Sequence, residues 1–286
     1  MIDKIKITVI GAGGKMGTRV SNNLIKYKDT IELSLVENSE AGQKAIRERG
    51  LEVISAEEAV PNADITVLAV PDSLIQVISE EVVKLLRAGT TLIILDPAAA
   101  VAKELTMRDD CTFVVTHPCH PSYFIDQDTY EARNDYFGGI SGKQDIVLAL
   151  IQGDEDRFNE ARKVSEIMFE PVEHSYVLGL RDIAFLEPTL VELLGATCLY
   201  AMAETVNEAE RRGIPREAAI SFLAGHIYNL SANFLGKLNA KVSDACLVAI
   251  GLGNRLVLQD DWKRIWDDEV LDKVIATMLH PEKPLI

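Results

Sequence analysis

Ile5-Lys-Ile-Thr-Val-Ile10, a β-branched run, passes directly into Gly11-Ala12-Gly13-Gly14-Lys15-Met16-Gly17. The first part reads as a strand, and the residues from Met16 to Tyr27 carry helical periodicity. The glycines between them fit G-x-x-G-x-x-G through Gly11, Gly14 and Gly17, and Gly11 with Gly13 supplies a G-x-G opening. Glycine permits the tight turn, and its missing Cβ lets a pyrophosphate approach the backbone. The helix N-terminus adds N–H groups and a positive dipole end, and Gly17 lets the helix pack close to the strand. The alternative is an ordinary strand–helix turn. A strand before and a helix after favour a dinucleotide turn made by Gly11, Ala12, Gly13, Gly14, Lys15 and Met16.

Working outward, Ile31 to Val36 reads as a second strand and Leu51 to Ile54 as a weak third. Asp64 to Val70, Thr91 to Leu95, Thr112 to Val115, Ile146 to Ile151 and Pro171 to Val177 read as further strands, with helices over Leu74 to Arg87 and Asp156 to Met168. Such alternation predicts an α/β fold whose parallel sheet is covered on both faces. Phe124 to Asp145 is polar, holds Gly138-Gly139 and Ser141-Gly142, and reads as a long loop or lid. From about Arg181 the pattern turns helical as far as Leu279, with one long helix from Pro188 to Gly213 and another from Pro215 to about Phe234. The expected division is a Rossmann-type nucleotide domain over 1–177 and an all-helical domain over 178–286, the latter serving substrate binding and homodimerisation.

The 286 residues carry 29 Lys and Arg against 44 Asp and Glu, a net charge of −15. That balance disfavours nucleic acid and anionic membranes as partners. Cys111, Cys119, Cys198 and Cys246 form no C-x-x-C pair and read as reduced thiols, most of them in the core of a cytoplasmic protein. The opening Met1-Ile-Asp-Lys-Ile-Lys has no signal-peptide character, and no apolar run reads as long enough to span a bilayer.

Candidate site residues follow the strand ends. Glu37 stands 20 residues beyond Gly17, where an acid grips ribose hydroxyls and repels a 2′-phosphate, so NAD is favoured over NADP. Pro71 and Asp72 close another strand at its carboxyl edge, with Asp72 either touching the cofactor or capping the helix near Leu74. Thr116-His117-Pro118-Cys119-His120-Pro121 is a proline-stiffened loop with two histidines, read as metal ligand, acid/base or substrate contact against a plain turn. Glu187 and Glu192 lie five apart near the start of the long helix, as a hard-cation or substrate clamp or as acids favoured by the helix dipole. Weaker features are Lys143 as a catalytic group, Glu204 and Glu208 as a solvated face, His226 as a satisfied core histidine, Ser243 as a helix cap, and Trp262 with Trp266 as packing.

The glycine turn, Glu37, Val70-Pro71-Asp72 and the helical C-terminal half resemble the 6-phosphogluconate and β-hydroxyacid dehydrogenase superfamily. One departure is clear: those enzymes carry a catalytic lysine in the long helix, and Pro188 to Arg212 has none. Together with His117-Pro-Cys-His-Pro121, Leu186-Glu-Pro-Thr-Leu-Val-Glu192 and Asp261-Trp-Lys263, the turn more closely resembles the D-apionate oxidoisomerase group. The resemblance implies an NAD-dependent oxidoreductase acting on a branched sugar acid, oxidising the 2-hydroxyl and then shifting a hydroxymethyl group to give a 3-oxo acid. It implies a divalent metal held by His117 and Glu192, with Glu187 supporting it and His120 as acid/base. A plain hydroxyacid dehydrogenase and an NAD(H)-binding regulatory protein are the competing readings.

Overall fold

The computed structural model describes residues 4–281. The start of the amino-terminal stretch quoted above therefore lies outside the described residues. β1 (Ile5–Ile10) leads through the glycine turn to α1 (Lys15–Leu24), β2 (Ile31–Val36), α2 (Glu40–Glu48), the one-turn α3 (Ala56–Ala59), β3 (Ile65–Leu68) and α4 (Asp72–Leu85). Then come β4 (Thr91–Ile94), the short α5 (Ala98–Val101), β5 (Thr112–Pro118), the short α6 (Tyr130–Arg133), β6 (Gln144–Gln152), α7 (Glu155–Met168) and β7 (Val172–Val177). The strands form one sheet in the order β2-β1-β3-β4-β5-β6-β7. Every residue of β3 and β4 is buried, as expected of strands covered on both faces. Val9, Val67, Ile93, Val114 and Leu148 form the centre of the core, with Phe158 of α7 packed onto them.

The sheet departs from the all-parallel expectation at one place. β1 to β5 are parallel, β6 runs antiparallel to β5, and β7 is parallel to β6. A parallel return needs a crossover, usually a helix, and the link between β5 and β6 has only the four residues of α6. The weak strand expected over Leu51 to Ile54 is extended coil, tied to β2 by the Ile54 N–H to the Leu35 carbonyl. β5 runs on to Pro118, so His117 belongs to the strand itself. Of the cysteines, Cys111 is buried, Cys119 is exposed, and Cys198 and Cys246 are intermediate, which corrects the expectation that most are core residues.

After β7 the chain is helical: α8 (Leu180–Ala184), a widened π-wound stretch over Phe185–Ala196, α9 (Thr197–Arg211), α10 (Arg216–Phe234), α11 (Asp244–Leu256) and α12 (Asp268–Leu279). The helix expected to open at Pro188 opens at Leu180 and carries Pro188 inside it. A proline removes one donor and crowds the preceding turn, and the i→i+5 winding of a π stretch accommodates that defect. The uninterrupted helix Leu180–Arg211 has 32 residues and is long and apolar enough to cross a membrane by length and composition. This corrects the expectation that no apolar run is long enough to span a bilayer.

Two compact units result: the chain up to Ala184 together with the chain from Asp272 onward, and Phe185–Leu271. The first unit thus extends past the division drawn at Val177. Arg181 pairs with Asp272 at 3.1 Å, and Glu104 bonds His280 at 2.8 Å, which ties the last helix to the first unit. Ser243 caps α11 by accepting from the Cys246 N–H, and Trp262 and Trp266 meet edge to face.

The segment between β5 and β6 is organised by one buried carboxylate. Asp135 accepts backbone N–H bonds from Gly138, Ile140, Ser141 and Gly142 at 3.0–3.1 Å. Arg19 of α1 lies 3.6 Å from the same carboxylate and also donates to the Gly138 carbonyl. Burial alone would raise the Asp135 pKa; the bonds from Ser141, Gly142 and Ile140 and the Arg19 charge outweigh it and leave the group below its ordinary value. A depressed carboxyl stabilises the fold above its unfolded pKa, and the stabilisation disappears as pH falls through the folded value. Asp135→Asn should therefore unfold about 2 kcal/mol more easily at neutral pH. In urea titrations the gap to the wild type should narrow below about pH 4.

Candidate active site

The strand order reverses between β2-β1 and β3, so a crevice opens beyond the carboxyl ends of β1 and β3. A cleft of about 620 Å³ lies there, lined by Gly11, Gly13, Gly14, Glu37, Gly42 and Pro71 among others. Gly11 sits at φ +78°, and a Cβ there would stand 2.5 Å from the Ala69 carbonyl oxygen. A Cβ on Gly17 would overlap the Gly11 carbonyl oxygen, and one on Gly13 would overlap the backbone of Gly42. Gly14 caps α1 without a side-chain bond, so the first N–H groups of the helix point into the turn. Ala12 is buried beneath it, and Lys15 and Met16 begin the helix.

Glu37 follows β2 and turns back over the glycines. Its carboxylate accepts from the Gly13 N–H at 3.0 Å and from the Ser39 N–H and hydroxyl at 2.9 Å. Gln43 donates to the Glu37 carbonyl at 2.9 Å. This places a fixed acid at the rim of the cleft, where the sequence spacing put it. Pro71 occupies the cap position of α4 and Asp72 is its first helical residue, which corrects the reading of Asp72 as the cap.

His117 and His120 lie at the carboxyl end of β5, the same edge of the parallel strands. Their ring centroids are 6.4 Å apart. Nδ1 of His117 bonds the Leu95 carbonyl and Nδ1 of His120 bonds the Phe137 carbonyl, both at 2.8 Å. A carbonyl only accepts, so each Nδ1 carries the proton and each Nε2 holds the lone pair of the neutral ring. That is the form in which imidazole takes up a proton or ligates a metal.

Glu187 and Glu192 belong to the second unit, on the π-wound stretch. Residues five apart are neighbours across one turn of i→i+5 winding, so the spacing that an α-helix splays is brought close to one face. Glu187 is half-buried and Glu192 exposed. Among the described residues no three His, Cys, Asp or Glu side chains gather within either unit as a metal site.

Other candidates resolve into structure. Lys143 is ion-paired to Asp128 at 2.9 Å and faces Glu173 at 3.7 Å, and the Asp128 bond raises its pKa. Glu208 pairs with Arg211 and Arg212 on a solvated face. His226 is exposed, stacks on Phe222 and bonds the Phe222 carbonyl at 2.7 Å. It is therefore no core histidine, because α10 buries none of its residues within the chain. The sequence reading missed Gly42, Asp135 and Phe137. Gly42 carries a signal in hindsight, a glycine in the first turn of a helix that begins three residues after Glu37. Phe137 carries none, since only the folded loop brings it beside His120.

Comparison with known proteins bears on all of this. Residues 1–145 match the acetohydroxy acid isomeroreductase NADPH-binding domain, and residues 125–279 match the phosphogluconate dehydrogenase (decarboxylating) C-terminal family. The chain is 67% identical over 99% of its length to the D-apionate oxidoisomerase of Blautia hydrogenotrophica, covering 99% of that protein. It is 43% identical over 95% of its length to the D-apionate oxidoisomerase of Cupriavidus necator, covering 98% of it. Among solved structures it is similar to a semialdehyde dehydrogenase NAD-binding protein from Cupriavidus necator in complex with calcium and NAD. That match has a TM-score of 0.92 and 42% identity, and it covers 96% of this chain and 100% of the other. An NADH-preferring ketol-acid reductoisomerase from an uncultured archaeon shares the fold, with a TM-score of 0.66 at 18% identity over 96% of this chain and 82% of that one. With its glycine turn, the acid at the end of β2 and its helical C-terminal unit in place, the chain belongs to the D-apionate oxidoisomerase family, within the 6-phosphogluconate dehydrogenase-like NAD-binding superfamily.

Proposed function

We propose that the protein oxidises the 2-hydroxyl of a branched polyhydroxy acid, D-apionate or a close relative, with NAD. It then moves a hydroxymethyl group to the new carbonyl carbon and releases a 3-oxo acid. The observation that carries this reading is the placement of the nucleotide cleft and both imidazoles at one edge of one sheet, in a chain whose full-length relatives bear that activity's name. Glu37 favours NAD, because its fixed carboxylate accepts ribose hydroxyls and repels a 2′-phosphate. Gly11, Ala12, Gly13, Gly14, Lys15 and Met16 hold the pyrophosphate side, and Pro71 and Asp72 lie toward the nicotinamide.

In the first step hydride leaves C2 for the nicotinamide while Nε2 of His120 takes the hydroxyl proton, giving a 2-oxo acid and NADH. In the second step the C3 hydroxyl loses its proton and the bond from C3 to the hydroxymethyl carbon breaks. Its electron pair forms the new bond to C2, and the C2 oxygen is protonated. C3 becomes the ketone, with no further redox change. We assign His117 and Glu192 as ligands of a divalent cation and Glu187 as a supporting carboxylate. The lone-pair nitrogen of His117 and the oxygen donors of the two glutamates support this, as does the calcium in the Cupriavidus necator complex. When bound, such an ion polarises neighbouring hydroxyl and carbonyl oxygens together.

We further infer a cytoplasmic homodimer formed through the C-terminal helices, with no nucleic-acid or membrane partner. The acidic balance opposes binding to polyanions. α10 and α11 bury no residue within the chain, and Phe222 is 70% and Leu256 83% exposed. Apolar surface on that scale marks an interaction face.

Purified protein with NAD and D-apionate should form NADH together with a 3-oxo acid identifiable by NMR, and metal-stripped protein should lose the activity until a divalent salt is restored. A 2-oxo acid as final product would establish the plain dehydrogenase instead, and NADH binding without turnover of any acid would establish the regulatory protein. Glu37→Gln should weaken NAD binding by about tenfold, one charge-assisted hydrogen bond's worth, and should narrow the preference for NAD over NADP in titration of the two cofactors. Sedimentation equilibrium should return twice the 31.5 kDa chain mass, and a monomer at micromolar concentration would refute the dimer.

A further inference from the structure

The segment between β5 and β6 connects two parts of the site that the sequence keeps far apart. His120 has φ +60°, an uncommon conformation for a residue with a side chain that is kept only where its surroundings over-determine it. Its ring lies 4.9 Å from the ring of Phe137, and its Nδ1 bonds the Phe137 carbonyl. The other side of the contact is cationic: the Lys15 ammonium lies 3.8 Å and the Arg19 guanidinium 4.2 Å from the Phe137 ring centroid. Lys15 is the first residue of the helix that follows the glycine turn. Asp135 holds the segment in shape through its four backbone bonds and ties it to the same helix through Arg19.

We propose that Phe137 is a positioning residue for His120. Its carbonyl fixes the imidazole as the Nδ1–H tautomer and presents Nε2 to the reactants, while its ring, clamped by Lys15 and Arg19, sets the place of that imidazole relative to the nucleotide turn. The proposal rests on the assignment of His120 as the acid/base. A rotating imidazole would present the wrong nitrogen in part of the population, and a misplacement of about 1 Å is enough to slow chemistry by orders of magnitude.

The test is imidazole nitrogen NMR of the full-length protein, at a pH where histidine is neutral, combined with steady-state kinetics. Wild-type His120 should show a pyrrole-type Nδ1 and a pyridine-type Nε2. Phe137→Leu keeps an apolar side chain but removes the ring, and should give a mixed tautomer signal with kcat lowered roughly tenfold or more. The dissociation constant for NAD should stay within about threefold of the wild type, less than a single hydrogen bond is worth. Phe137→Tyr keeps the ring and should keep the wild-type spectrum and rate. Asp135→Asn should reproduce the leucine variant's spectrum by loosening the loop, and should it fail to fold, the Phe137 variants still decide. An unchanged His120 spectrum in Phe137→Leu, or a loss carried wholly by NAD affinity, would overturn the proposal. If wild-type protein turns over no acid, the functional reading fails, and the NMR comparison still tests the positioning.

Discussion

The nucleotide cleft depends on backbone packed directly against backbone. There is no room for a methyl group at Gly17, where it would run into the Gly11 carbonyl and Ala12, or at Gly13, where it would run into Gly42. These contacts bring α1 and α2 close to the ends of β1 and β2. They therefore set where the free N–H groups of α1 point and how near Glu37 comes to them. Close packing of this kind has no slack, since interiors are filled to crystal density. The strands that carry the turn are in turn fixed by the fully buried residues of β3 and β4 on one side and by α7 beneath.

The part of this fold that was legible in the sequence is the part governed by short-range rules. A β-branched run ending in glycines and an acid at the end of the next strand follow from local geometry, so β1, β2, α1 and Glu37 were readable. The reversal of β6 was not, because it depends on what the link from Cys119 to Lys143 fails to contain. Leu51 to Ile54 has strand composition but gains only one backbone bond along β2, and composition carries no record of how many bonds a segment will find. At the site, His117 and His120 could be singled out from their proline-framed loop. The carbonyls of Leu95 and Phe137 that decide which nitrogen each presents are invisible in a sequence, since every residue has one.

Pro188 illustrates a different failure. A proline is a sound signal for the start of a helix, yet here the helix begins at Leu180 and runs through it. The wide winding over Phe185–Ala196 carries both glutamates, and π stretches occur often at functional sites. The same irregularity that misled the reading of the helix boundary brings Glu187 and Glu192 toward one face. A local rule is broken at a position where chemistry is expected, which is where consistency between levels commonly gives way.

The contact between Glu37 and Gly42 links two positions of the chain. A Cβ on Gly42 would stand 2.5 Å from the Glu37 carboxyl carbon, and the three atoms nearest to it all belong to that one side chain. Substitution at Gly42 requires the Glu37 side chain to leave the place where it accepts from the Gly13 N–H. Positions 37 and 42 are therefore coupled: a side chain at 42 fits only where the one at 37 is shortened or displaced.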